Sequence, residues 1–153
     1  MNPVPYCHIP STRQKGVAAV EMAIVLPLLV LVFGGMIEYG RLMWHYDVLA
    51  KATRDAARFL STQVSVSGAA NEARERVGHA ATAAGVKNLV PADHVAIRCL
   101  PASGPENDCT TGTIVRITVR VNYPFTIGEW VPILGSANLD KTLSPHTTMP
   151  YMR

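Results

Sequence analysis

The chain has 153 residues and a formal net charge of +3, which leaves room for one membrane segment and one small globular domain but not for two full domains. Residues 1–16 hold Arg13 and Lys15 and no acid, so the remainder carries 12 basic against 11 acidic groups. Affinity for phosphates needs a concentrated cationic face, and on this distribution no nucleic-acid partner is expected.

Residues 17–37 contain a single charge, Glu21, and residues 22–37 contain none. About 20 apolar residues span a bilayer core. A buried helix of a soluble protein shows a polar face at a 3.6-residue period, whereas Ala23, Ile24, Val25, Leu26, Leu28, Leu29, Val30, Leu31, Val32 and Phe33 cover every face. A transmembrane helix over residues 17–38 is therefore expected. A cleaved secretory signal fits poorly, because the apolar run is too long and Glu38-Tyr39-Gly40-Arg41-Leu42-Met43-Trp44 comes after it instead of small residues. Arg13 and Lys15 bias the amino terminus towards the cytoplasm, while Tyr39, Trp44 and Tyr46 stand where an aromatic belt anchors the outer boundary. Residues 39–153 are then extracytoplasmic. Pro27 cannot donate to the carbonyl of Ala23 and should kink the helix locally. Glu21 lies close to the cytoplasmic boundary, where a carboxylate costs less than the about 2.5–3.5 kcal/mol found at a helix centre. Physics alone is compatible both with a side chain reaching the headgroups and with a functional charge.

Beyond the span, Leu42, Tyr46, Leu49, Ala56, Phe59 and Leu60 recur at helical spacing, and Asp47 with Lys51 forms an i,i+4 pair of favourable orientation. The helix should continue to about residue 63, its amphipathic outer half covered by the chain's own domain. Residues 65–68 read as a break, and residues 69–84 as a second helix capped by Gly85. Val95, Ile97 and Cys99 then alternate with Ala96 and Arg98, and Val115, Ile117, Val119 and Val121 with Arg116, Thr118, Arg120 and Asn122, both half-buried strand patterns. Pro124, Pro132 and Gly135 interrupt the next stretch, leaving residues 125–134 as an apolar loop or short strand and one last strand within residues 139–149. Antiparallel pairing of these strands on the amphipathic helix gives an α+β fold.

Cys99 and Cys109 flank a loop between the two patterned strands and can bridge in an oxidising compartment, a bond that typically contributes about 2–4 kcal/mol. A metal site is a poor alternative, since no cysteine or histidine pair with ligand spacing lies nearby. Cys7 precedes the apolar segment and so cannot be the modified cysteine of a lipoprotein. His8, His45, His79, His94 and His146 are scattered, no Gly-rich loop follows a strand, and G-x-S-x-G is absent. Neither catalysis nor a cofactor is expected, and each histidine reads as a surface or packing residue.

The stretch Lys15-Gly16-Val17-Ala18-Ala19-Val20-Glu21, leading directly into an apolar helix, resembles the processing site of type IV prepilins, in which a membrane-embedded peptidase cuts after the glycine and the fifth residue of the product is glutamate. Residues 17–61 are similar throughout to TadE-like pseudopilins of the tight-adherence (Tad, or Flp) pilus system. The matching features are Glu21 with Pro27, Glu38-Tyr39-Gly40-Arg41, and Ala52-Thr53-Arg54-Asp55-Ala56-Ala57-Arg58. The resemblance implies a pilin-like fold, a leader of residues 1–16 removed after Gly16, and a new terminus at Val17 one helical turn from Glu21. It also implies a role in pilus assembly and surface adhesion from the bacterial inner membrane. The partners implied are the prepilin peptidase, other Tad pilins and pseudopilins, the inner-membrane assembly platform and the lipid bilayer. The Val17 ammonium could neutralise Glu21 of its own or a neighbouring chain, and an unpaired buried carboxylate would penalise misaligned helices. Ala19 and Ala23 offer a small-xxx-small face for close helix contact. The alternative is an unprocessed bitopic protein whose outer domain binds a partner in an export or envelope complex.

Overall fold

The computed structural model describes residues 14–110, 113–127 and 139–152. Helix α1 (Gln14–Ser61) runs 48 residues with Pro27 inside it, and the chain divides into two compact units, Met1–Ile37 and Glu38–Arg153. In the first unit the apolar side chains are exposed on every face of the helix, from Val17 and Val20 through Leu28 and Leu31 to Ile37. Such a surface must be covered by lipid or by other helices, and this helix is long and apolar enough to cross a membrane.

In the second unit the same helix becomes one-sided. Glu38, His45, Leu49, Ala52, Thr53, Ala56, Ala57, Leu60 and Ser61 are buried, a stripe at helical period. Tyr46, expected on that stripe, is 45% exposed, and His45 takes the inner place at 8%. One residue is a rotation of about 100°, so the covered face is centred slightly off the one the apolar residues alone suggest. The helix ends at Ser61, whose hydroxyl donates to the Arg58 carbonyl at 2.8 Å.

The expected break at residues 65–68 lies three residues earlier, at residues 62–65. Helix α2 (Val66–Ala83) begins directly after Ser65, whose side chain accepts from the Gly68 N–H, a hydroxyl cap that satisfies one orphan donor of the first turn. Burial of Val66 draws that first turn into the core. At the other end Gly85 takes φ +79°, the left-handed conformation that makes glycine the usual terminator. A single turn, α3 (Pro91–His94), then leads into β1 (Val95–Pro101). The strands β2 (Ile114–Val121), β3 (Tyr123–Ile127), β4 (Leu139–Leu143) and β5 (His146–Pro150) complete the domain.

The sheets are antiparallel, one of order β1-β2-β5 and one of order β3-β4. Partner numbers add to 266 along both the β2–β5 and the β3–β4 ladders. The two ladders are thus one long hairpin in a single register, interrupted at Asn122 and at Ser144–Pro145. The single last strand expected within residues 139–149 is for this reason two, divided where Pro145 has no N–H to give the ladder. Of the stretch 125–134, residues 125–127 belong to β3 and the rest lies outside the described residues. The alternation expected of β2 holds for Ile117, Val119 and Val121, but Val115 is exposed and Ile114 half-buried. A register shift at Leu100/Pro101 sets Pro101 against Ile114, and one slipped residue exchanges the two faces of a strand.

The core joins Leu49, Ala56 and Leu60 of α1, Val66, Ala73 and Val77 of α2, and Val95, Ile97, Ile117, Val119 and Val121 of the three-stranded sheet. The result is the α+β fold expected, a long amphipathic helix with small antiparallel sheets.

Candidate functional site

The amino end of α1 carries the residues that the processing pattern singles out. Gly16 is exposed, and nothing lies within 4 Å of where a Cβ would stand, so packing within the chain does not demand glycine there. Val17, Ala19, Glu21 and Ala23 are exposed as well. Among the described residues Glu21 has neither an ion pair nor a hydrogen bond, which leaves a carboxylate standing on an otherwise apolar helix surface.

Helical geometry sorts these residues into pairs. Val17 and Glu21 are four apart and share a face, as do Ala19 and Ala23. Two residues correspond to about 200°, so the Val17–Glu21 pair and the small-residue pair occupy roughly opposite sides of the helix. The structure brings the members of each pair together and separates the two pairs. Pro27 sits inside the helix one turn beyond Ala23. Residues 1–13 of the expected leader lie outside the described residues.

A second constellation begins at Glu38, in the stretch Glu38-Tyr39-Gly40-Arg41 that the resemblance includes and to which the sequence alone gives no packing role. Its side chain is 6% exposed, and both carboxylate oxygens accept from Arg41 Nη1 at 3.3 Å. The Arg41 guanidinium lies 5.7 Å from the Phe125 ring centre, inside the usual range for a cation over an aromatic face. One turn on, the buried His45 ring meets Phe125 edge-on at 5.3 Å and Tyr123 at 6.2 Å. Tyr123 in turn donates its hydroxyl to the Lys87 carbonyl at 2.8 Å. The motif Glu38-Tyr39-Gly40-Arg41 thus clamps the start of the second unit's helix to β3. Its signal in the sequence is the Glu-x-x-Arg spacing, which places the pair on one helix face. An open cleft of about 880 Å³ borders the cluster, lined by Arg41, His45, Lys87, Tyr123, Phe125 and Asp140 among others. Among the described residues no three His, Cys, Asp or Glu side chains are grouped to hold a metal ion.

Farther along the helix, the buried Thr53 hydroxyl donates to the Ala50 carbonyl at 2.9 Å and lies 3.1 Å from the Thr147 hydroxyl of β5. The Cys99–Cys109 disulfide is formed and closes the β1–β2 loop. Around it Cys99 and Asn107 exchange backbone hydrogen bonds at 2.8 Å, the Asn107 side chain accepts from the Cys109 N–H at 2.9 Å, and Arg98 pairs with Asp108 at 2.6 Å.

These features define a class: an α+β domain borne on one apolar helix capable of crossing a membrane, with a carboxylate near that helix's amino end that has no partner among the described residues. Residues 16–58, all within that helix, match the model of the family described as TadE-like protein. The resemblance read over residues 17–61 is thereby borne out over residues 17–58, and the match begins at Gly16 itself. No curated protein and no solved structure matches the chain significantly. The match covers the helix and leaves the strands outside.

Proposed function

We propose that the chain is a minor pseudopilin of the Tad pilus, made as a precursor, cut after Gly16 by a prepilin peptidase and inserted with its amino terminus facing the cytoplasm. The observation that carries this reading is Glu21, an exposed carboxylate on an apolar helix with no partner among the described residues, four residues beyond the first residue after Gly16. Cleavage creates an ammonium at Val17 on the same face as Glu21. Within one chain or between neighbours the two charges neutralise each other, and in a low-dielectric surrounding a helix that misses this pairing bears the cost of an uncompensated carboxylate. The role is structural: the span is both an anchor and a surface for lateral assembly with other Tad pilins and pseudopilins on the inner-membrane platform. Exposed alanines at 19 and 23 on the opposite side offer a second place for close helix approach.

Processing decides between this reading and a bitopic protein that keeps its leader. Intact mass measurement of the protein isolated from its native membrane should give a chain beginning at Val17. Gly16→Phe should leave the precursor uncut and abolish piliation. A wild-type chain that retains residues 1–16, or a Gly16→Phe variant that still supports pili, refutes the proposal. Glu21→Ala should be processed but should assemble poorly, which separates the assembly step from the cleavage step.

A further inference from the structure

We propose that the outer edge formed by β4 and β5 accepts an extended strand from a partner protein, and that this strand is acidic on the face it shares with Arg116, Arg120 and His146.

The ladder fixes which backbone groups face outward. The Val121 N–H donates to the Pro145 carbonyl and the Tyr151 N–H to the Val115 carbonyl, so odd-numbered residues bond to β2. His146, Thr148 and Pro150 then turn their backbone groups away from it. In the same register Asp140 and Thr142 do so on β4. Among the described residues the outward N–H groups of Asp140, Thr142, His146 and Thr148 have no acceptor, and Pro150 has no N–H to offer.

The other edges are interrupted, with Ile97 of β1 and Thr126 of β3 the isolated outward positions whose N–H groups stay open among the described residues. On β1, Cys99 is doubly bonded to Asn107, and Arg74 Nε donates to the Val95 carbonyl at 3.3 Å. Just before β3, the Asn122 N–H donates to the His94 carbonyl at 2.8 Å, and within β3 Pro124 has no N–H to offer. Pro145 does not close the remaining edge, because its missing N–H faces β2. Pro150 merely ends it. From residue 140 to residue 148 this edge is roughly 25 Å long, and an unpaired edge of that kind is a template for strand addition.

Charge selects the occupant. On the solvent face of the three-stranded sheet, Arg120 stands between Ala96 and His146, and Arg116 between Leu100 and Pro150, with Thr118 between them. Both arginines are exposed, and among the described residues neither has a carboxylate partner, whereas Arg98 beside Thr118 is held by Asp108. A strand added to β5 lies roughly 10 Å from β2, within reach of these side chains. A second copy pairing through the same edge would set its own Arg116 and Arg120 roughly 14 Å away, beyond two β5 strands, and so would add positive charge to the face these arginines share. An acidic strand from another protein meets no such opposition. The proposal does not depend on the pilus reading.

The test uses the full chain in zwitterionic detergent and a capped fluorescent peptide of about nine residues alternating Glu and Val, long enough to span the edge at ~3.3 Å per residue. Saturable binding is expected, at least about tenfold tighter than for the Lys–Val counterpart. It should be lost when the peptide is N-methylated at the residues facing the edge, and bound peptide should slow amide exchange at His146 and Thr148. Arg116→Glu with Arg120→Glu should reverse the preference between the two peptides. Thr148→Pro, which removes an outward N–H and no ladder bond, should abolish binding. Absence of binding, equal binding of the N-methylated peptide, tighter binding of a DNA oligonucleotide, or pairing of the chain with itself through β5 would overturn the proposal.

Discussion

Reduction of the Cys99–Cys109 bond is the perturbation whose magnitude comes most directly from the fold. The bridge spans a sequence separation of 10, and the chain-entropy relation gives about 2.7 kcal/mol of stabilisation for a loop of that size. The native loop keeps other ties when the bond is broken: the Cys99–Asn107 backbone pair, the Asn107 cap on Cys109, and Arg98 with Asp108. None of these replaces the bond, because its effect lies in the unfolded chain, where they do not exist. One local contribution works the other way. Cys109 sits at φ +64°, a left-handed conformation that costs a residue with a Cβ roughly 1–2 kcal/mol, and reduction lets it relax. The net loss should be about 1–2 kcal/mol, which for a domain of this size is a fall in Tm of roughly 4–10 °C. Scanning fluorimetry and near-ultraviolet circular dichroism of the detergent-solubilised protein, with and without reductant, measure it, and a Cys99→Ala/Cys109→Ala variant controls for the reductant. A shift below about 2 °C in both would refute the reasoning that the unfolded chain is where this bridge acts.

Three further perturbations test the packing. Leu49→Ala, at a fully buried position, should cost about 2–5 kcal/mol in denaturant unfolding. Gly78→Ala should destabilise α2 although alanine is the better helix former, because its Cβ would come within 2.6 Å of Pro91 Cγ; about 1–3 kcal/mol is expected from overpacking, and a gain in Tm would contradict the contact. Glu38→Gln and Arg41→Ala, singly and together, should show a coupling of roughly 0.5–3 kcal/mol in a double-mutant cycle, and additive losses would mean that the pair does not clamp the helix.

Periodicity alone makes much of this fold legible. Twenty or so residues apolar on every face specify a helix with no inside, and the alternation in Ile117, Val119 and Val121 specifies a half-buried strand. The hidden features depend on contacts distant in sequence. The exposure of Val115 results from a register slip opposite Pro101, which one strand's own pattern does not contain. The division of the last strand results from Pro145 standing opposite Val121. His45 is buried because Phe125 and Tyr123, some 80 residues later, turn their rings towards it. At the candidate site, the Gly16, Val17 and Glu21 spacing can be read directly, whereas the separation of the Val17–Glu21 and Ala19–Ala23 pairs onto opposite faces needs the helix to be placed.

The family match ends at Arg58, three residues before α1 ends, and the strands that cover the helix lie outside it. Two demands therefore meet in one helix. Up to Ile37 the side chains need only suit lipid or neighbouring helices, and a uniform apolar surface with one carboxylate satisfies that. From Glu38 onward the inner stripe must suit a particular sheet, and it contains polar groups, Glu38, His45, Thr53 and Ser61, that tolerate burial only where their hydrogen-bonding and aromatic neighbours are supplied. Arg41 and Ala50 supply part of that from within the helix, while Thr147, Tyr123 and Phe125 supply the rest from the strands. A different sheet grafted onto the same helix would have to reproduce a hydroxyl opposite Thr53 and an aromatic wall opposite His45. Replacing Thr53 by Val should accordingly cost about 1 kcal/mol by stranding the half-buried Thr147 hydroxyl. Converting Thr53 and Thr147 together to Val should recover part of that loss in the same denaturant assay, and a double variant less stable than the sum of the two singles would show that the contact is not what fits this helix to this sheet.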